Sequence, residues 1–382
     1  MVPNLRFTNN QLKDFKIVDI CKLKQGNQYD LKQQFTEEKS DLKRFIRIID
    51  YTQKTNDIRY VYSNGSENYV DCTDVVVVRY GASAGYVGRG INGIIANNLF
   101  TIRPINSALL NKSYLYHYLN APVIQKQLNN TQSSGMPALN FQTINNLHIL
   151  LPEYQEQRQI AVFLDKIDER IQTQIKIIEL KQSLIKDIED KLLWKSASTY
   201  SRHISDFLTE LNDKSKIQNQ YPLLSSTKKG LFLQTDYFNK EAASSNNIGY
   251  KIVHEGDIII SPQNLWMGNI TYNDKFVNGL VSPSYRIYKV KEEYNAYYIS
   301  RILMSYRALS LYKNISEQGA SIVRRNLNVD AFNELCFPIP NIKKQDEVSL
   351  FLSKLHQELN SEIEILRQLK NQKKYLLCNM FI

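Results

Sequence analysis

The chain has 382 residues, with 48 Lys and Arg against 38 Asp and Glu, a formal net charge of +10. Hydrophobic residues make up 43% and charged residues 23%, a globular composition rather than a disordered one. No run approaches the roughly 18 apolar residues needed to span a bilayer, and the cationic excess favours an anionic partner, most often nucleic acid.

The first fifteen residues are polar and have no basic stretch leading into an apolar one, so no secretion signal is expected and the chain reads as cytoplasmic. Cys21, Cys72, Cys336 and Cys378 lie far apart, without a C-x-x-C pair, and the histidines are scattered. Reduced, mostly buried thiols and no metal site are expected. Residues 1–150 alternate short β-type runs (Phe45–Ile49, Tyr60–Tyr62, Val75–Val78, Ile94–Ile102) with turn residues, followed by a helix over Ser113–Leu128. This pattern predicts a compact α+β domain.

A glycine-rich stretch, Arg79 to Gly90, follows the valine strand. Its spacing matches neither a dinucleotide fingerprint nor a P-loop, and no Lys-Ser or Lys-Thr pair follows it. It reads as a recognition loop, where glycine allows close backbone approach and polar side chains contact base edges or phosphates. Arg79, Tyr80, Ser83, Tyr86 and Arg89 are its candidates, joined by Ser134 and Met136 ahead of the next helix.

From Leu151 the periodicity changes to three- and four-residue steps: Ile160, Leu164, Ile167, Ile171, Ile175, Ile178, Ile185, Ile188, Leu192. This predicts a long helix across the segment 151–196, opened by Pro152 near its first position. Asp187, Glu189 and Lys191 superficially resemble a nuclease acid-acid-lysine set but read as a solvated helix flank. Residues 197–338 then repeat the first domain, with strands at Lys251–His254, Asp257–Ile260 and Leu280–Val290 and a helix near Tyr294–Tyr312. Its loop candidates are Gln263, Asn264, Trp266, Arg324 and Arg325. Residues 339–382 carry a second long helix with its seam at Val348, Leu352, Leu355, Leu359, Ile363, Leu366 and Leu369.

The two long segments align without gaps at an offset of 188: Pro152 with Pro340, Gln157 with Gln345, Phe163-Leu164 with Phe351-Leu352. The duplication predicts two similar target-recognition domains (1–150 and 197–338) and two helices paired as an antiparallel coiled coil.

The signature Leu151-Pro152-x-x-x-Glu156-Gln157-x-x-Ile160-Ala161-x-Phe163-Leu164-Asp165, echoed from Pro340, resembles the conserved region of type I restriction-modification specificity subunits. The second copy departs from it, with Lys344 in place of Glu156. The resemblance covers essentially the whole chain. It implies a non-catalytic DNA-specificity subunit whose two domains each read half of a bipartite double-stranded target, while the helices set the spacer. It also implies docking of two modification (methyltransferase) subunits and two restriction (motor and nuclease) subunits, with Pro152, Glu156, Gln157, Phe163, Pro340, Gln345 and Phe351 as partner contacts. S-adenosylmethionine, ATP and magnesium would belong to those partners, with no cofactor in this chain. Two other readings compete: a stand-alone DNA nuclease or methyltransferase, which would act on DNA alone, and a coiled-coil protein scaffold, which would give no sequence-selective footprint.

Overall fold

The computed structural model describes residues 5–8, 11–53, 55–129, 137–195, 201–228, 230–237, 246–318 and 325–381. Contacts gather the chain into two compact units, Met1–Ile175 with Glu364–Ile382, and Lys176–Ile363. The architecture is α+β, with two mixed lobes and two long helices.

In the first unit an antiparallel sheet is built from β1 (Cys21–Gln25), β2 (Val75–Val78), β3 (Val87–Gly88) and β4 (Leu99–Pro104) in the order β1-β4-β2-β3. The four consecutive valines of β2 are all buried because alternate side chains meet different cores. Val75 and Val77 pack with Phe100, Tyr114 and Leu115, whereas Val76 and Val78 pack with Ile46, Val70 and Ile95. That second layer is a four-stranded sheet formed by Arg59–Tyr62, Leu42–Ile46, Gly93–Ile95 and Tyr69–Val70, in that order. The covering helix is α1 (Lys112–Leu119). It ends before Pro122, where a second short helix begins, so the expected helix over Ser113–Leu128 is broken in two. The expected strand Ile94–Ile102 is likewise interrupted, between Ile95 and Leu99.

The first long helix, α2, spans Tyr154–Asp190. Pro152 lies two residues before its first residue, and its carbonyl accepts from the Gln157 side chain at 3.0 Å.

The second unit repeats the sheet with β5 (Leu208–Leu211), β6 (Ile258–Ile260), β7 (Ile270–Tyr272) and β8 (Arg286–Val290) in the corresponding order β5-β8-β6-β7. Ile258 and Ile260 face the helices and Ile259 faces the other layer. Here that layer is two two-stranded ribbons, Leu224–Thr227 with Gly230–Leu233 and Lys251–His254 with Asn278–Val281, joined by a parallel bridge between Leu223 and Leu280. Helix α3 (Ala296–Leu303) corresponds to α1, and the second long helix, α4, spans Ile342–Met380.

The long helices pair in antiparallel fashion within each unit. In the second unit Lys181 meets Glu362 at 2.8 Å and Glu189 meets His356 at 3.6 Å, so rising numbers on α2 meet falling numbers on α4. In the first unit Ile167 and Ile171 share a core with Leu369 and Leu377, and Lys373 pairs with Asp168. One seam position departs from expectation: Ile363 is exposed, and Glu362 faces α2 in its place. An ion pair with Lys181 lets a carboxylate occupy an interior-facing step at little cost where both groups retain contact with water. Glu189 is not a solvated flank either. It is buried and held by Arg301 at 2.6 Å. Nor are the thiols mostly buried: only Cys21 is, its pKa pushed up to about 12 by burial, while Cys72, Cys336 and Cys378 are exposed. No described helix is long and apolar enough to cross a membrane.

Candidate nucleic-acid interface

Each lobe carries one loop after its central strand, and each loop is stitched to the segment that precedes a later helix. In the first lobe Gly81 N donates to Pro137 O at 2.9 Å and Leu139 N to Arg79 O at 2.8 Å, with Tyr80 bridged to Ala138. Gly81 and Gly85 hold φ near +88°, a conformation that side-chain-bearing residues rarely adopt. In the second lobe Arg325 N donates to Gln263 O at 3.2 Å, which joins the loop after β6 to the strand Arg325–Leu327.

At each stitch an arginine lies on an aromatic ring, carried by the loop in the first lobe and by the strand stitched to it in the second. The Arg79 guanidinium lies 4.8 Å from the Tyr80 ring centre and 4.3 Å from that of Phe141, and donates to Gln25 Oε1 at 2.7 Å. The Arg325 guanidinium lies 4.8 Å from the Trp266 ring centre and donates to Lys313 O. Stacking restricts a long cation without consuming all five of its donors. Gln25 and Phe141 were not among the residues singled out from sequence. They lie 54 and 62 positions from Arg79, and no local pattern joins them.

The remaining candidates divide by exposure. Tyr86 and Gln263 are exposed; Ser83, Asn264 and Trp266 are half-buried. Asn264 Nδ2 donates to Ser261 Oγ at 3.4 Å. Beside Gln263, a cleft of about 470 Å³ is lined by Pro262, Tyr285, Arg286 and Asn326. Arg89 is turned away from the loop surface. It donates to Ser113 Oγ at 2.6 Å, pairs with Asp165 on α2 and stacks on Tyr116 at 3.9 Å. His117, fully buried, shares Asp165 at 2.7 Å. Burial holds the His117 pKa below its ordinary value, while Asp165 is held well below the carboxylate range because the hydrogen bonds from His117, Arg89 and Ser113 outweigh its own burial. Ser134, Met136 and Arg324 lie outside the described residues.

The helix starts expected to face partners mix buried and exposed groups. Pro152, Glu156, Gln157 and Gln345 are buried, and Pro340 is half-buried. Glu156 accepts from Arg6 Nη2 at 2.8 Å, from Phe7 N and Thr8 N at 3.1 Å each, and from Thr8 Oγ1. Burial alone would raise its pKa, but these donors hold it below the ordinary value. Phe163 and Phe351 are exposed. So are Tyr154 and Val162 on the first helix and their counterparts at an offset of 188, Ile342 and Leu350. Among the described residues no group of three or more His, Cys, Asp or Glu could hold a metal ion.

Residues 9–182 match the family model described as the Type I restriction modification DNA specificity domain. The chain is similar to the type I restriction enzyme MjaVIII specificity subunit of Methanocaldococcus jannaschii, 27% identical over 139 residues. That match covers 36% of this chain and 32% of the relative, so the likeness spans about a third of the curated protein. The fold resembles the crystal structure of a type I restriction-modification S subunit from M. genitalium, with a TM-score of 0.61 and 16% identity over 100% of this chain and 99% of the other. A second solved chain, from work on complex assembly and conformational transition of the type I R-M system, gives a TM-score of 0.54 and 12% identity, with 96% of each chain covered.

Proposed function

We propose that this chain, whose residues 9–182 match the type I restriction-modification DNA specificity domain, is a specificity subunit of that kind and reads a bipartite DNA target, one half-site per lobe, for partner subunits that carry the chemistry. The observation that carries this reading is the repeated stitch, which in each lobe sets an arginine on an aromatic ring: Arg79 from the loop itself in the first lobe, Arg325 from the strand stitched to the loop in the second. A guanidinium constrained in this way is suited to bidentate contact with guanine, and a good pair of this kind discriminates by about 1–3 kcal/mol. Lysines and arginines elsewhere supply the salt-dependent phosphate term. Arg89 is assigned here to holding the lobe on its helix, not to DNA.

The exposed apolar triplets Tyr154, Val162, Phe163 and Ile342, Leu350, Phe351 support docking of two copies of one partner. Repeated core positions are explained by folding, but repeated exposed apolar positions need a second cause, and a surface used twice supplies it. In this reading those copies are the modification subunits. They bind S-adenosylmethionine, and the restriction subunits bring ATP and magnesium. The chain itself takes no cofactor and catalyses nothing.

The test is methylation mapping of a host carrying this chain with its modification subunit. A bipartite motif is expected. Arg79→Ala should weaken use of one half-site and Arg325→Ala the other, each by about 5- to 150-fold, the equivalent of 1–3 kcal/mol. Equal loss across both halves from either variant would overturn the assignment, and an unsplit motif would overturn the bipartite reading.

A further inference from the structure

Gln157 and Gln345 occupy equivalent places in the first turns of the long helices, and each is about 1% exposed. Their amides do the same thing twice. Gln157 Oε1 accepts from Asn111 N at 3.0 Å, and its Nε2 donates to Leu109 O and Pro152 O at 3.0 Å each. Gln345 Oε1 accepts from Asn295 N at 2.9 Å, and its Nε2 donates to Pro340 O at 2.8 Å. Asn111 and Asn295 are the N-caps of α1 and α3, the helices that cover the recognition sheets. Each glutamine therefore bridges the start of a long helix to the start of its own lobe's helix through both ends of one amide.

We propose that this duplicated glutamine is a positioning clamp that sets the angle at which each recognition lobe leaves its long helix, and so sharpens selectivity for the length of the unread spacer. Only an amide of this length donates and accepts at once. Glutamate would lose the donor, and leucine both functions. The backbone N–H of an N-cap has no partner within its helix, so its pairing with the other helix is directional rather than merely apolar. A recognition loop has to be held to within about 0.5 Å and 10–20° to discriminate well. A small rotation at the clamp moves the whole lobe while leaving the loop's own contacts intact. The clamp therefore acts on spacing and not on base identity. This inference rests on the bipartite reading above.

The experiment uses the chain assembled with its modification subunits, assayed for methylation on the mapped target and on targets with the spacer one base pair longer or shorter. Gln157→Leu and Gln345→Leu are each expected to lose at least five-fold of the discrimination against the wrong spacers. Base preference within both half-sites should be unchanged, and the effect should be larger in the double variant. Should one leucine variant not fold, Gln345→Met or the other single variant tests the same claim, because the clamp is present twice. A fall in melting temperature with spacer discrimination intact would make the glutamines stabilising only and overturn the proposal. Relaxed base preference within a half-site would overturn it too, since the lobe itself would then be distorted. If the unsubstituted complex shows no bipartite motif, it is the underlying functional reading that fails.

Discussion

The starts of the two long helices match in one glutamine and differ in the residue before it. Gln157 and Gln345 make the same bridge to an N-cap backbone, whereas Glu156 is buried under the N-terminal arm and Lys344 is exposed, paired with Glu347 three residues on at 3.1 Å. The glutamine answers a need that both halves share, because each lobe has to be tied to its helix. The glutamate answers a need of the first half alone: Arg6, Phe7 and Thr8 present donors there, and a buried carboxylate gathers all of them. The shared position thus reports architecture, and the divergent one reports which neighbouring segment has to be held. The outer layers differ as well, a four-stranded sheet in the first lobe against two ribbons joined by the Leu223–Leu280 bridge in the second, beneath central sheets of identical strand order.

Exchanging the divergent residues tests this most severely. Glu156→Lys puts a cation against Arg6 in a buried site, and breaking such a pair costs about 3–5 kcal/mol. Lys344→Glu alters an exposed position and should stay within about 0.5 kcal/mol. Urea denaturation of both variants measures the asymmetry, and comparable losses would erase it. A second pair tests equivalence instead of difference. Leu164 and Leu352 are fully buried at matching positions, so Leu164→Ala and Leu352→Ala should each cost about 2–5 kcal/mol. Values differing by more than the spread expected of cavities at one kind of site would mean that the two seams are packed differently.

The smallest effect concerns pH, and in the first unit it centres on His117. His117 is buried with its pKa below the ordinary 6.5, and it lies against Asp165, Arg89 and Asp168. A histidine depressed in the folded state favours the neutral form. Its contribution is therefore complete above pH 6.5 and is lost as pH falls below that value, by at most about 1.4 kcal/mol per pH unit. Asp165, also depressed, stays ionised through that window and cannot mimic the effect. His117→Gln keeps a donor for Asp165 and should flatten the melting-temperature profile between pH 7 and 5. In the second unit burial likewise holds His356 below its ordinary value, so an unchanged profile in His117→Gln would move the acid sensitivity elsewhere.

How much was legible in the sequence varied with the range of the interaction. Helical periodicity, the offset of 188 and the glycine-rich loop are local or repeated patterns, and they located the long helices and the duplication. They misplaced Ile363 because a seam one residue wide rotates with the true helical pitch, and Glu362 could take the inward step only with Lys181 opposite it. The family resemblance, not a local pattern, implied Glu156 and Gln157 as partner contacts, and both are buried among donors and acceptors of their own chain.

The chain's own order of residues determined that there would be two α+β lobes and two long amphipathic helices, because apolar spacing along a segment dictates which face it has to bury. Tertiary structure alone decided which polar groups became internal: Gln157 with Asn111, Arg79 with Gln25 and Phe141, Arg89 with Asp165. These partners lie 46 to 76 residues apart. A hydrogen bond is short-ranged and directional, so it exists only once the fold has brought its two ends within about 3 Å.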